Sequence, residues 1–395
     1  MFLVVPFRTE EAFLPALMRS LAVNHCDLGR VGLIGVDHNS TDQSACIFRQ
    51  LSSEFGYSEV IDEDYAVPCV GVPRKRGLDA AHHYATLPTR TDPHVAIGSV
   101  DCDAVVNEHF LSDALGFASA GQSGLLVYPS RHVQQPLIDI ATAQDSSARA
   151  LALRVVLGTE WLKFQLRELL YSIGANETRG SSGYFLAPRT YEALGGHRQP
   201  FNEEGQPISG ESNRLGIMAA ALGIPARVSR YLTLTSPRRF VKAILQNSGV
   251  QGYLRDRNNA KLYTPSEALE TMPRLTSSQW AGFYRTAILG ALGMLLTRAV
   301  CYHQTQHLRA LFPESLVWPR LVQGFCSYFN TRAADQDCPP VGSGCFQDAF
   351  ETALDQVTSR EIESLTEFVD SRIPPDHRLM AWSRATVHHP QLDIA

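Results

Sequence analysis

The 395-residue chain has no Cys-x-x-Cys pair among its eight cysteines, no Gly-x-Ser-x-Gly and no Gly-rich loop closing on Gly-Lys. Serine-hydrolase and ATPase readings therefore lack the nucleophile turn and the phosphate cradle they need. Scattered cysteines, one of them Cys102 inside an acidic motif, suit a reduced, cytosolic protein better than a disulfide framework. Neither sign of charge dominates: 35 Lys and Arg against 40 Asp and Glu leave −5, so there is no global electrostatic reason to expect a nucleic-acid partner. His82 and His83 are neighbours on an expected helix and diverge, which gives a zinc site little support. No basic region precedes the first apolar run in MFLVVPFRTEEAF, which reads as a core strand and not as a signal peptide. The apolar stretch Ala287–Val300 is interrupted at Arg298, short of the roughly 20 residues that span a bilayer. A buried helix is expected there, with peripheral membrane contact as the alternative.

What is present is an alternation of short β-like runs and helical patterns. FLVVPF (2–7) precedes a helical stretch from Glu10 to about Asn24, and VGLIGVD (31–37) precedes STDQSACIFRQLSSEF (40–55). RGLDAAHHYATL (76–87) reads as a helix and HVAIGSVD (94–101) as the next strand. This order predicts an α/β fold with a mainly parallel sheet and flanking helices, in which ligands collect at the carboxyl ends of the strands. Arg8, Asp37 and Asp101 fall at those ends. GLLVYPS (124–130), GYFLAP and ARVSRYLTLTS (226–236) suggest further strands, and residues 146–174 a long helical region with a break at Gly158. Another helix is expected from Glu211 to about Leu222. Beyond Pro237 the alternation stops, so residues 1–240 are expected to form the ligand-binding domain and 241–395 a helical C-terminal subdomain.

The stretch GSVDCDAVV (98–106) places Asp101 and Asp103 one residue apart after an apolar run. On a strand both side chains would point the same way, and two converging anions repel unless something positive lies between them. Hard carboxylate oxygens in this arrangement suit Mg²⁺ or Mn²⁺, ions that bind through one or two carboxylates plus substrate phosphates. In GVDHNSTDQS (35–44), Ser40 and Asp42 read as the cap and first turn of a helix, which leaves Asp37 to accept hydrogen bonds from a ligand. In VPRKRGLDAAHH, Arg74 and Lys75 read as a solvated face. Arg76, before Gly77 at a helix start, is the candidate for an anionic ligand. Arg238 and Arg239 in TSPRRF suit either a bidentate diphosphate clamp or a surface pair. His197, after Gly195-Gly196, reads as structural or as close to an acceptor.

These motifs, in this order, resemble the inverting family 2 glycosyltransferases of GT-A fold. VVPFRTEEAFLPALMRSL, GVDHNSTDQS, RKRGLDAA and SVDCDAVV carry the donor side of the likeness, and GYFLAPRTYEALGGHRQ, SGESNRLGIMAAALGIPA and TSPRRF the acceptor side. The likeness covers roughly residues 1–240. It implies that Pro6, Phe7, Arg8, Asp37, Asn39, Arg76, Cys102, Arg238 and Arg239 line a nucleotide-sugar pocket. It further implies that Asp101 lies near ribose and metal and that Asp103 coordinates Mn²⁺ or Mg²⁺. The donor would be a UDP- or GDP-linked sugar and the acceptor a glycan, a lipid-linked molecule or a small molecule. Family members usually carry Glu-Asp where this chain has Glu211-Ser212, which leaves Glu211 as the expected base, with Glu203 or Glu204 as substitutes. Two other readings stand beside this one: a sugar-phosphate nucleotidyltransferase, and a non-catalytic nucleotide or glycan binder that has lost its base.

Overall fold

The structure, a computed structural model, describes residues 1–64, 69–88, 94–172, 182–199, 211–238, 275–301, 315–333 and 352–385, with a few single positions between them. Chain contacts divide it into two compact units, Met1–His132 with Asn176–Ser236 and Val133–Ala175 with Pro237–Pro390. The second unit takes up again at Pro237, and residues 133–175 are grouped with it and not with the sheet.

Ten strands occur among the described residues: β1 (Phe2–Phe7), β2 (Gly32–Asp37), β3 (Tyr57–Asp62), β4 (Ile97–Val100), β5 (Ala104–Val106), β6 (Leu125–Tyr128), β7 (Ser130–His132), β8 (Gly183–Leu186), β9 (Ala226–Val228) and β10 (Thr233–Thr235). Seven of them form one sheet in the order β3-β2-β1-β4-β8-β6-β9. The pairs β1–β2, β2–β3, β1–β4 and β6–β9 are parallel, and only β8 runs against its neighbours. This is the mainly parallel, helix-flanked sheet that the alternation predicts. A second sheet, β5-β10-β7, is small and was not legible from the periodicity.

Helices α1 (Leu14–Ala22), α2 (Ser44–Leu51), α3 (Gly71–Ala85) and α4 (Phe110–Ser119) belong to this unit. Three starts differ from expectation, each for a local reason. Pro15 stands at the first turn of α1, where its missing N–H costs nothing, so the helix begins at Leu14 and not at Glu10. α3 begins at Gly71, five residues before the expected start, because Pro73 falls in its first turn and is tolerated there. α2 begins at Ser44, after Gln43, because Ser40 Oγ is taken by the Thr9 N–H while Asp42 accepts the Ser44 N–H that opens the helix. Apolar residues of β1, β2, β4 and β8 face two cores, one under α1, α2 and α4 and the other under α3.

In the helical unit, Ser146–Leu153 runs into a π-helical turn, Arg154–Gly158, and continues as Thr159–Ser172. The break expected at Gly158 is this turn, where one extra residue is accommodated per hydrogen-bonded loop. Arg154 reaches Asp370 through its Nε at 3.2 Å, and Tyr284 also donates to that carboxylate. The helix Ser277–Cys301 contains the apolar stretch noted above; its Ala287, Ile288, Ala291, Leu292, Leu295 and Leu296 are all buried in this unit's core. None of the described helices is long and apolar enough to cross a membrane.

Candidate functional site

Strand β1 lies between β2 and β4, so the chain turns to opposite sides of β1 and leaves a switch point between β1 and β4. The ladders differ in length. β1 pairs with β2 from Phe2↔Gly32 through Phe7↔Asp37, but with β4 only from Phe2↔Ile97 to Val4↔Ser99. Beyond Val4 the two strands part, and Pro6 sits in that parted section, where a residue with no N–H deprives no ladder of a donor. Arg8 follows on one side and Asp101 on the other.

The acidic motif does not continue the strand. β4 ends at Val100, residues 101–103 form a turn closed by Ala104 N–H to the Asp101 carbonyl at 3.1 Å, and β5 begins at Ala104. The expectation that both carboxylates project from one strand face is therefore corrected. The turn is pinned at both ends: Asp101 N–H donates to the Ser182 carbonyl at 2.7 Å, and Ser236 N–H donates to the Asp103 carbonyl at 3.1 Å. The Cys102 side chain is buried in the core under α1, α2 and α4.

A second correction concerns the basic run. Arg76 is exposed in the second turn of α3, whereas Arg74, assigned by the sequence to a solvated face, is 4% exposed. The Arg74 guanidinium pairs with the Asp101 carboxylate and donates through Nε to Ser99 Oγ at 3.1 Å. Lys75 is the surface residue, pairing with Asp79 one turn on. The positive charge beside the first aspartate is thus built into the protein. Arg74, Gly77, Leu78 and Ala81 form the buried stripe of α3. Gly77 makes the close approach possible: a Cβ there would lie 2.3 Å from Val4 Cγ1 and 2.8 Å from Val36 Cγ2. That glycine serves helix-on-sheet packing, not a ligand's approach. Arg74 lies three residues before Gly77 and so shares its face of the helix.

At the carboxyl ends of β1 and β2, two non-glycine residues have left-handed backbones, Thr9 (φ 54°) and Asn39 (φ 56°). Such conformations persist where surrounding bonds over-determine them. Here the loops lace together. Thr9 N–H donates to Ser40 Oγ at 2.9 Å, Glu10 N–H to Ser44 Oγ at 2.7 Å, Glu11 N–H to Asp42 Oδ2 at 3.0 Å, and Gln43 N–H to Glu11 Oε2 at 3.0 Å. Asp42 Oδ1 also accepts the Ser44 N–H at 3.0 Å, so Asp42 and not Ser40 supplies the capping oxygen of α2. Partial burial works to raise the Asp42 carboxyl, but the Ser44 hydroxyl and the backbone N–H groups of Glu11, Ser44 and Asp42 itself outweigh it and hold the group below its ordinary value.

Asp37 is less available than the sequence implied, since its Oδ1 accepts the Ser40 N–H at 2.9 Å. Asn39 donates to Asp64 at 3.2 Å. Phe7 is buried with its ring stacked on Phe48, 5.6 Å between centroids, so its side chain belongs to the core. Arg8 keeps Nη1 buried with no hydrogen-bond partner among the described residues. A guanidinium N–H in that condition suits an anionic ligand at the strand ends.

In the segment that the sequence likeness assigns to an acceptor, Gly195 and Gly196 take positive φ (66° and 78°) at the end of the helix Pro188–Ala193, and His197 beyond them is fully buried. Tyr191 donates to Asp79 at 2.7 Å; burial, then that bond, push the phenol well above its ordinary value. Glu211 opens the helix Glu211–Ala221. Its side chain, with Arg239, Glu203 and Glu204, lies outside the described residues; Arg238 is buried just after Ser236.

No family model matches the sequence, and no curated protein matches it. Solved structures do. TarS 1–349 of S. aureus has a TM-score of 0.42 at 14% identity, covering 91% of this chain and 92% of that one. The mannosyltransferase PcManGT from Pyrobaculum calidifontis, in complex with GDP-Man and Mn²⁺, has 0.40 at 12% identity, covering 99% and 87%. Glucosyl-3-phosphoglycerate synthase from Mycobacterium tuberculosis, in complex with Mn²⁺, UDP-Glc and phosphoglyceric acid, has 0.38 at 17% identity, covering 64% and 77%.

Proposed function

We propose that this chain is a glycosyltransferase that moves a sugar from a UDP- or GDP-linked donor to an acceptor hydroxyl with inversion, assisted by Mn²⁺ or Mg²⁺. The observation that carries the reading is the pinned Asp101-Cys102-Asp103 turn at the parted ends of β1 and β4, with a buried arginine neutralising its first carboxylate.

The donor set fits a hard divalent ion. With Asp101 held by Arg74, Asp103 is the carboxylate that would ligate it directly, and the donor's phosphates and water would complete the shell. Bound there, the ion would supply charge stabilisation to the departing nucleoside diphosphate. The remaining work falls to the chain's own groups. Arg8 would donate its buried Nη1–H to the nucleotide, as the sequence resemblance implies for this position. Asp37 Oδ2 would accept from the base, while Oδ1 holds the loop through Ser40. Glu211, at a helix N-terminus where negative charge is favoured, would take the proton of the attacking hydroxyl. Attack from the face opposite the leaving group inverts the anomeric centre.

The test is a panel of UDP- and GDP-sugars assayed for hydrolysis and transfer with and without Mn²⁺. Asp103→Asn is expected to abolish metal-dependent turnover. Glu211→Gln should lower kcat by about 10²–10⁴, the usual range for a lost general base, with donor affinity retained. Full turnover in both variants would refute the reading, and donor binding with no turnover in the unaltered protein would identify a non-catalytic binder.

A further inference from the structure

A second cluster of ligand-type side chains stands at the other end of β5. His25 in the turn after α1, and Glu108 and His109 before α4, place one ligand atom each within 4.8 Å of the others. Glu108 Oε2 is 3.8 Å from His25 Nε2, and its Oε1 is 3.7 Å from His109 Nε2. Both separations exceed hydrogen-bond length, so the carboxylate holds neither imidazole by a hydrogen bond. They are close to the edge of a zinc tetrahedron, about 3.3–3.4 Å for Zn–N bonds of roughly 2.0–2.1 Å. Each imidazole faces its own carboxylate oxygen and needs a few tenths of an ångström of closure toward it, while the two histidine ligand atoms stand within 4.8 Å of each other.

The backbone that carries these groups is already fixed. His25 N–H donates to the Glu108 carbonyl at 2.8 Å, and Asn24, 6% exposed, donates to the Asn107 carbonyl at 3.2 Å while accepting the Leu111 N–H at 2.7 Å. Asn107 Oδ1 accepts the His109 N–H at 2.9 Å. The His109 ring lies 5.0 Å from the Tyr231 ring and 4.9 Å from that of His25. Two imidazoles and a carboxylate at the surface, on a scaffold that needs no rearrangement, are a donor set for a borderline divalent ion and not for Mg²⁺ or Ca²⁺.

We infer that His25, Glu108 and His109 form a binding site for Zn²⁺ or a cation of its class, with a fourth position left to water. The site is separate from the Asp103 position, which lies at the opposite end of the three-residue strand β5. It clamps the turn after α1 to the start of α4. The inference stands independently of the glycosyltransferase reading.

The experiment is Zn²⁺ titration of the full chain by calorimetry in a chelator-free buffer, alone and with the variants His25→Gln, His109→Gln and Glu108→Gln. Two controls separate competing ligands: Cys26→Ser, for the thiol next to His25, and His303→Gln with His307→Gln, for an imidazole pair four residues apart outside the described residues. One stoichiometric site is expected, weakened at least tenfold by each of the three cluster variants and untouched by the controls. Co²⁺ substitution of the unaltered protein should show nitrogen and oxygen ligation with no thiolate charge-transfer band, a readout that needs no variant to fold. No stoichiometric site in the unaltered protein, equal affinity in the cluster variants, or a thiolate band would overturn the assignment.

Discussion

Removal of the Arg74 guanidinium tests the arrangement on which the candidate site is built. Arg74→Met keeps the aliphatic bulk of a side chain that is 4% exposed but deletes its ion pair with Asp101 and its hydrogen bond to Ser99. Breaking a fully buried pair by deleting one partner costs about 3–5 kcal/mol. The Asp101 side chain is 36% exposed, so water takes up part of the loss and about 2 kcal/mol is the better figure. That corresponds to a fall in Tm of roughly 4–8 °C for a domain of 150–250 residues. The decisive measurement is a double-mutant cycle with Asp101→Asn by chemical denaturation. If Arg74 serves to neutralise Asp101, the neutral amide relieves the defect and the coupling exceeds about 1 kcal/mol. In calorimetry, Mn²⁺ affinity should rise in Arg74→Met, because a second carboxylate is released to the cation. Additive effects, or an unchanged midpoint in the single variant, would refute the argument.

Two other substitutions probe the scaffold. Asp42→Ala removes the capping acceptor of α2 and one strand of the lacing to Glu11, and should cost about 1 kcal/mol at neutral pH. Because the Asp42 carboxyl is held below its ordinary value, its stabilisation is fully present above the ordinary aspartate range and is lost as pH falls through the folded value. Urea midpoints of the variant and the unaltered protein should therefore converge as pH falls below the ordinary aspartate range and through the depressed value; a gap that persists under fully acid conditions would count against the carboxylate as its source. Gly77→Ala drives a methyl group into Val4 and Val36 and should cost about 1–3 kcal/mol, displacing the helix that carries Arg74. A melting temperature equal to that of the unaltered chain would show that α3 can lift off the sheet without penalty.

The sheet was legible because its strands are short apolar runs bounded by polar turns, a signal carried by each segment alone. β1 and β2 lie within a residue of their expected limits, and the π-helical turn coincides with the break expected at Gly158. Helix starts were less legible, since the apolar period does not mark the first turn, the turn in which Pro15 and Pro73 sit. The site was legible as a set of motifs but not as a geometry. Arg74 and Arg76 differ by two positions on a helix, and only the rotation imposed by the close contact at Gly77 decides which is buried. Nor does a local pattern reveal that Ser182 and Ser236, far along the chain, hold the turn at residues 101–103, because those bonds join backbone atoms that carry no side-chain signature. The seats of Phe7 and Cys102 in the core follow from strand and turn orientation in the same way.

The early end of the β1–β4 ladder has a consequence for how such a protein can change. The parting of β1 and β4 beside Pro6 follows from main-chain pairing that stops at Val4, so it does not depend on which side chains border it. In the proposed transferase, substitutions along its rim would therefore alter what is admitted without closing the door or loosening the hinges. Selectivity can wander across generations while the frame that hosts it stays folded.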